Sequence, residues 1–228
     1  MKKIYIAMLA LLCVSCEKLD FPSSSAGGED TPAEVAAAKK FTFTIKGDFL
    51  NPEFRDGTET RANAYMTADG SEMTDLWVVD YKDGVIKQEL HQTNTDEEWG
   101  SPSMSLTLGT HHVYFLASRG SGPSYNSGKV IWTRPLDTFY HDYEVTVVKT
   151  SNGNRAVTLN RCATKLMLYM DDAIPSGTTT LTLTPSVWYT GWDMINGEPI
   201  KQEFSRTFDI PATWIGRSGA SFTLWSMS

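Results

Sequence analysis

Cysteine is scarce in this chain, which has three among its 228 residues. Two of them, Cys13 and Cys16, lie near the start, so Cys162 is alone in the rest of the sequence. A lone cysteine cannot form a disulfide within the folded region, which must therefore be stabilised by an apolar core. The composition allows such a core, because 41% of the residues are apolar and 11% are aromatic. The length is typical of one or two domains.

Positive charge is also limited. The chain has 20 lysines and arginines against 27 aspartates and glutamates, a formal net charge of -7. Nucleic acids and anionic lipid surfaces both attract basic faces, so this balance argues against either as a direct partner. Attachment to a membrane would have to come from a covalent lipid rather than from surface charge.

Sequence motifs for catalysis and for metal binding are absent as well. There is no GxSxG elbow, and His111 and His112 are adjacent on a predicted strand, so their side chains point to opposite faces and cannot bind one ion. Residues 120–129 lack the glycine and hydroxyl positions of a phosphate-binding loop, and we predict a surface loop there. Cys162 is predicted to be buried and inert.

Short runs of acidic residues are the remaining candidates for catalysis. They are residues 29–30, 96–98 and 171–172. Glycoside hydrolysis requires two carboxylates about 5 to 10 Å apart across a substrate, whereas neighbouring acids in turns usually face solvent. We therefore predict a non-enzymatic protein with no catalytic residues, no metal site and no cofactor.

The start of the chain contains a pattern typical of bacterial lipoprotein export. Two lysines precede an apolar run at residues 4–12, and Val14-Ser15-Cys16 follows. The run is shorter than the about 20 residues that a membrane-spanning helix requires. The pattern resembles the lipobox, although Cys13 stands where leucine is usual. We predict that residues 1–15 are a signal peptide and that Cys16 carries the lipid, including palmitate, with an ordinary secretory signal as the alternative.

The rest of the chain changes character after a polar segment. Residues 16–38 are rich in serine, glycine, proline and acid, and are predicted to form a lipidated, flexible tether. Beyond them, short apolar segments follow one another at intervals of roughly 8 to 12 residues. This pattern predicts an all-β protein with two antiparallel β-sandwich domains, residues 39–152 and residues 153–228. The boundary rests on the Ser-Asn-Gly-Asn cluster at residues 151–154, although a loop within one sandwich would have the same composition.

Individual strands are predicted from local patterns. Residues 76–81 are apolar on both faces, and Asp83-Gly84 then predicts a tight hairpin turn into residues 85–90. The other predicted strands are residues 41–45, 104–108, 112–117, 129–132, 143–148, 155–159, 164–170, 178–184, 204–210 and 220–225. The second domain is expected to be small and incomplete, its last sheet being continued beyond the given sequence or completed by another strand.

Six features occur in a particular order along the chain. They are Cys16, the polar tether, residues 60–62, residues 76–81 with 83–85, residues 108–109 with 112–117, and residues 160–166 running into 172–175. Together they resemble the anchor and accessory subunits of Bacteroides-type fimbriae, in the fimbrillin superfamily. The resemblance covers most of residues 41–185 and rests on strand and turn patterns rather than on a catalytic signature.

This resemblance implies transthyretin-like, Greek-key sandwiches in a subunit at the base or tip of a surface fimbrium, lipid-anchored in the cell outer membrane. Its partners would be other fimbrial subunits, joined by donor-strand exchange, in which an extended strand of one subunit completes a sheet of the next. The groove for that strand is expected among Val145, Val147 and residues 166–170. In stalk subunits of this family a protease cuts after an arginine near the first strand, and Arg61 is similarly placed, whereas an anchor subunit would remain uncut.

A second interpretation rests on an aromatic cluster, Trp188-Tyr189-Thr190-Gly191-Trp192. Exposed rings could stack on sugars, although large rings are more often part of a core. We therefore predict a fimbrial subunit, whose role in cell adhesion could extend to a host or glycan surface. The alternative is a glycan-binding surface lipoprotein of an outer-membrane uptake system.

Overall fold

The computed structural model describes Pro32 and residues 37–47, 49, 64–65 and 73–228. Within these residues the predicted all-β class is confirmed, with several antiparallel sheets arranged as a sandwich fold. The strands are β1 (Lys39–Gly47), β2 (Ala64–Tyr65), β3 (Asp75–Lys82), β4 (Val85–Thr93), β5 (Ser103–Leu106), β6 (Gly109–Ser118), β7 (Ser121–Asn126), β8 (Lys129–Arg134), β9 (Thr138–Val147), β10 (Asn154–Arg161), β11 (Ala163–Met170), β12 (Thr180–Leu183), β13 (Tyr189–Asp193), β14 (Glu198–Lys201), β15 (Arg206–Asp209) and β16 (Ala220–Met227). A turn of 3-10 helix at Ala212–Trp214 precedes β16.

The first sandwich contains two sheets that share β10. One has the order β4-β3-β6-β9, and the other is formed by β1 and β10, with β5 and β2 on the far edge of β1. β10 pairs with β1 in parallel from Asn154 to Leu159, and then with β9 in antiparallel at Asn160 and Arg161. The β1–β10 ladder is parallel, whereas antiparallel sheets were predicted. The sequence does not distinguish the two, because side chains alternate in the same way in either strand direction. β10 follows residue 152, where the first domain was predicted to end, and that boundary stays a prediction.

Alternating apolar side chains form the core of this first sandwich. Phe41, Phe43 and Ile45 of β1 are fully buried, and the ring of Phe43 meets Phe115 of β6 edge-on, with 5.1 Å between the centroids. Each such side chain contributes roughly 1.5 to 3 kcal/mol by leaving water. The alternation within β1 therefore reports a strand with one buried face, as predicted.

The β4-β3-β6-β9 sheet, which we call the central sheet, is buried on both faces along most of β3 and β6. Leu76 and Val78 of β3 point into the core of the first sandwich, whereas Trp77 and Val79 belong to a second core on the opposite face. That second core is shared with β8, β13 and β16, which cover the outer side of the sheet. The continuous apolar run of β3 is thus explained by a strand that lies between two layers.

The β3–β4 hairpin is confirmed at the predicted turn. Asp83 and Gly84 have φ angles of 54° and 84°, and Lys82 pairs directly with Val85. Two consecutive positive φ angles match the twist of a two-residue hairpin, and glycine adopts them without a Cβ penalty. This turn therefore sets the register of the longest hairpin in the central sheet.

A four-stranded sheet, with the order β14-β13-β8-β7, covers the outer face of the central sheet. The predicted surface loop at residues 120–129 was wrong, because most of it forms β7 and the turn into β8. Glycine, serine and proline have low strand propensity, but β7 is an exposed edge strand, where Pro123 needs no ladder partner on its outer side. The hairpin pairs through β8 with β13, and so joins early and late parts of the chain.

The last strands form two short ladders, β11 with β16 and β12 with β15. Between them lies a third core, in which Ile174, Ile210 and Phe222 are buried. Within the range that the structure describes, no helix is long and apolar enough to cross a membrane.

Candidate assembly surface

Within the strands that the structure describes, one edge of β11 is open. β11 follows β10 almost directly, and all eight of its residues pair in antiparallel with β16. Among the described strands, β16 is the only neighbour of β11 in a ladder. The second edge of β11 therefore presents backbone donors and acceptors that could pair with a further strand.

Apolar side chains accompany this open edge. Leu166, Met167 and Tyr169 are 40%, 41% and 63% exposed, and we call these three residues the β11 surface. Met167 and Tyr169 lie on the outer face of the strand, whereas Leu168 and Met170 pack against the third core. The period of two therefore places apolar groups on both faces of β11, and within residues 166–170 it is the face of Leu168 and Met170 that packs on a core.

The two parts of the predicted groove differ in how exposed they are. Exposed apolar residues are present within residues 166–170, as expected. Val145 and Val147 are only 7% and 1% exposed, because both point into the first core, so their inclusion in the groove was wrong. Alternation along β9 identified a face correctly, but the sequence could not show that β1 and β10 cover it.

The two adjacent histidines point to opposite sides of β6, as predicted. His111 is fully buried, with Nδ1 at 2.7 Å from Asp80 Oδ1 and Nε2 at 2.9 Å from the carbonyl oxygen of Thr107. His112 is half-exposed and lies 3.0 Å from Asp142 Oδ1. These contacts give both rings a structural role, and the buried Asp80–His111 pair stabilises the β3–β6 ladder end.

Cys162 is buried, as predicted, and its Sγ donates to the carbonyl oxygen of Thr138 at 3.6 Å. Burial raises the pKa of this thiol well above its usual range, which makes it a poor nucleophile. The acids at residues 96–98 and 171–172 are exposed, as expected of turn residues.

An ion pair lies where β10 leaves the first sandwich. Arg161 donates from Nε and Nη2 to the two carboxylate oxygens of Asp137, at 2.7 and 2.9 Å. Asp137 is buried, and burial raises the pKa of its carboxyl group, while Arg161 acts in the opposite direction. This bidentate contact holds the start of β11 next to the start of β9.

The aromatic cluster at residues 188–192 does not form an exposed platform. Trp188 and Trp192 are 8% and 4% exposed, and the indole of Trp188 donates to the carbonyl oxygen of Trp225 at 2.9 Å. Gly191 permits close pairing of β13 with β8, because a Cβ there would lie 2.7 Å from the carbonyl oxygen of Val130. The rings of Trp188 and Trp192 therefore pack between layers of the fold, so the hypothesis that they stack on a sugar is wrong.

The predicted lipidation site Cys16 and the predicted cleavage site Arg61 lie outside the described residues, as do the acids at residues 29–30. Lipidation and cleavage therefore stay predictions. Within the described residues, no group of three or more histidine, cysteine or acidic side chains could hold a metal ion.

Similar proteins are found by fold rather than by sequence. No protein-family model and no curated protein sequence matches this chain. A candidate adhesin from Bacteroides ovatus ATCC 8483 aligns with a TM-score of 0.54 at 9% identity, over 89% of this chain and 72% of the other. A candidate polysaccharide-binding protein (DUF1812) from Bacteroides thetaiotaomicron VPI-5482 has a TM-score of 0.51 at 13% identity, over 82% and 71%.

The fimbrial anchor protein Mfa2 from Porphyromonas gingivalis is also similar, with a TM-score of 0.50 at 10% identity, over 83% of this chain and 73% of that one. At these identities the similarity concerns the fold alone. The shared fold is consistent with the fimbrillin-like architecture that the sequence resemblance implies.

Proposed function

We propose that this chain is a non-enzymatic structural subunit of a cell-surface fimbrium, lipid-anchored in the outer membrane through Cys16. It anchors or terminates the fimbrium by strand exchange with other fimbrial subunits. The observation that carries this proposal is the open edge of β11 together with the exposed β11 surface. The fold similarity to a fimbrial anchor protein and to candidate adhesins supports it.

The physical reason lies in what an open edge can bind. An extended peptide placed beside β11 would gain main-chain hydrogen bonds along eight residues, and its alternate side chains would pack on the exposed apolar groups. Met167 and Tyr169 would receive one set of side chains, and Leu166 the other. Covering the edge would also remove a site for uncontrolled pairing with other chains.

The assembly step can be tested with Met167→Lys and Tyr169→Lys. A charge on the β11 surface would be desolvated by an added strand, so we expect fimbrial subunits that co-purify with the tagged wild-type protein to be largely lost. Thr180→Lys is the matched control, because it adds the same charge at an exposed position of β12. The proposal is wrong if wild type retains no fimbrial subunit, or if all three variants retain as much as wild type.

The anchor can be tested separately by fractionating cells that express Cys16→Ala. Wild type should partition into detergent with the membranes, and the variant should be released. A mass spectrum of the mature wild-type protein should show a lipid on Cys16 and an intact bond after Arg61, as a terminal subunit requires. Membrane attachment of Cys16→Ala at the wild-type level would remove the anchor from this proposal.

Glycan binding is the second candidate function, supported by the similarity to a candidate polysaccharide-binding protein. Its original basis is gone, because Trp188 and Trp192 are buried. A screen in which folded wild-type protein binds a polysaccharide, while cells lacking the protein keep normal fimbriae, would favour it over the fimbrial role.

A further inference from the structure

A cavity of about 230 Å³ lies between the first sandwich and the last strands. Three arginines line it: Arg119 directly follows β6, Arg134 ends β8 and Arg206 begins β15. Phe204 and Trp225 supply aromatic walls. The cavity is therefore formed by residues from four separate segments, at a junction of the kind where ligand sites commonly occur.

The charge in this cavity is of one sign. None of the residues that line it is acidic, although the whole chain has a formal net charge of -7. Burial, and then repulsion from Arg134, lower the pKa of Arg206 below its usual value. The Arg206 Nε atom is buried and has no hydrogen-bond partner in the described part of the chain.

One buried acid lies nearby, but it is engaged elsewhere. Asp137 forms a bidentate ion pair with Arg161, and its attraction to Arg119 is a smaller effect. It does not line the cavity. The guanidinium groups of Arg134 and Arg206 repel each other, and an anion placed between them would relieve that cost.

The aromatic walls are held in place before any ligand arrives. The guanidinium of Arg119 lies 5.9 Å from the Trp225 ring centroid, and the carbonyl oxygen of Trp225 accepts from the Trp188 indole. Phe204 stacks on Trp188, with 5.6 Å between centroids and 15° between ring planes. A preformed pocket saves the ordering cost of binding.

We propose that this cavity binds an oxyanion carried on a single sugar ring, either the carboxylate of a sugar acid or a sugar sulfate. Arginine suits both groups, because its planar fork donates two parallel hydrogen bonds. The cavity is smaller than the about 300 to 1,000 Å³ of sites for drug-sized ligands, so it accommodates one ring rather than a long chain. The half-exposed ring of Phe204 provides an apolar wall for that ring.

The experiment measures binding by tryptophan fluorescence and calorimetry, with the full chain purified in detergent. The probes are N-acetylneuraminate, glucuronate and galactose 6-sulfate, with glucose as the neutral sugar, sodium sulfate as the inorganic anion and a short acidic peptide. We expect saturable binding of at least one anionic sugar, none of glucose, and weaker binding as the salt concentration rises. The carboxylate and sulfate probes show which oxyanion is preferred.

Variants locate the site. Arg206→Gln and Arg134→Gln should each weaken binding of the anionic sugar by about tenfold, because each removes a charge-assisted contact. Arg217→Gln removes the same charge from an exposed loop outside the cavity and should leave binding unchanged. Arg134 is exposed, so its variant serves as the test should Arg206→Gln fail to fold.

Three results would overturn the proposal. They are the absence of saturable binding for all anionic sugars, equal binding by wild type and Arg134→Gln, and binding of sodium sulfate or the acidic peptide that is as tight as that of the best sugar. None of these results bears on the β11 surface, so the fimbrial proposal stands or falls independently.

Discussion

The first sandwich and the last strands are stabilised to very different extents. In the described residues, 18 buried apolar side chains form the first core, whereas three form the core between the β11–β16 and β12–β15 ladders. In the first sandwich, β1 and β10 cover the apolar face of β9. In the last strands, residues 166–170 of β11 carry apolar side chains on both faces, and those of Leu168 and Met170 pack on the third core while Met167 and Tyr169 are exposed.

The region with the larger core and the region with exposed apolar surface are different parts of the molecule. A sheet covered on both sides buries most of its apolar surface within one chain, so little apolar surface remains that a partner could cover. A strand with an open edge and exposed apolar groups can still gain hydrogen bonds and apolar burial when a partner strand binds to it. The second core, which joins β3 and β6 to β8, β13 and β16, ties the weaker region to the stronger one.

The largest effect is expected from matched truncations in the two cores. Phe115→Ala should lower the free energy of unfolding by about 3 to 5 kcal/mol, because the close-packed first core cannot collapse around the cavity. Phe222→Ala should cost less, since its half-buried neighbours can relax into the space. Urea denaturation measures both free energies of unfolding, and equal losses would contradict the view that the first core is the more tightly packed.

A second large effect is expected inside the first sandwich. His111→Ala removes the partner of buried Asp80 and should lower stability by about 3 kcal/mol. His112→Ala, the adjacent residue on the exposed face, should change it by less than about 0.5 kcal/mol. The same denaturation measurement tests the pair, and a large loss in His112→Ala would contradict the assignment of faces.

A small effect is expected on the β11 surface. Met167→Lys and Tyr169→Lys should change the free energy of unfolding by no more than about 0.5 kcal/mol, because both side chains are already exposed. Thermal denaturation of each purified variant is the check. A decrease of several degrees in the melting temperature would mean that these side chains stabilise the folded chain and do not form a free binding surface.

The smallest effect concerns pH. Burial lowers the pKa of His141 in the first sandwich below its usual value of 6.5, so the unfolded chain binds the proton more readily. Its contribution to stability is therefore present above about pH 6.5 and is lost as the pH falls towards the folded pKa. His141→Gln should flatten the stability profile slightly between pH 7 and pH 5, and an unchanged profile would contradict the shift.

Local sequence patterns predicted a large part of the fold. The alternation at residues 41–45 identified β1, the apolar run at residues 76–81 identified β3, and Asp83-Gly84 identified the turn that follows β3. β7, β13 and β14 were missed. Serine, glycine and proline dominate β7, whereas β13 and β14 are only five and four residues long, and β13 also pairs with the distant β8. Strand propensity is weak where tertiary contacts decide.

The candidate sites, too, were predictable from local patterns only in part. Residues 166–170 were identified as an apolar strand that could lie at an open edge, yet Val145 and Val147 have the same local pattern and are covered. Arg119, Arg134 and Arg206 lie far apart in the sequence, and no local signal brings them together. Their common cavity depends on how the last strands pack on the first sandwich.

Local residue patterns were enough to predict the all-β class, the hairpin turn, the opposite orientation of His111 and His112, and the burial of Cys162. Each of these follows from residue types within a few positions, through backbone preference or the two-residue period of a strand. Tertiary packing was needed to show that Trp188 and Trp192 are buried, that β1 and β10 run parallel, and that β16 is the only described neighbour of β11 in a ladder. These depend on which strands become neighbours, and long-range pairing is chosen by the total apolar area that the whole chain can bury.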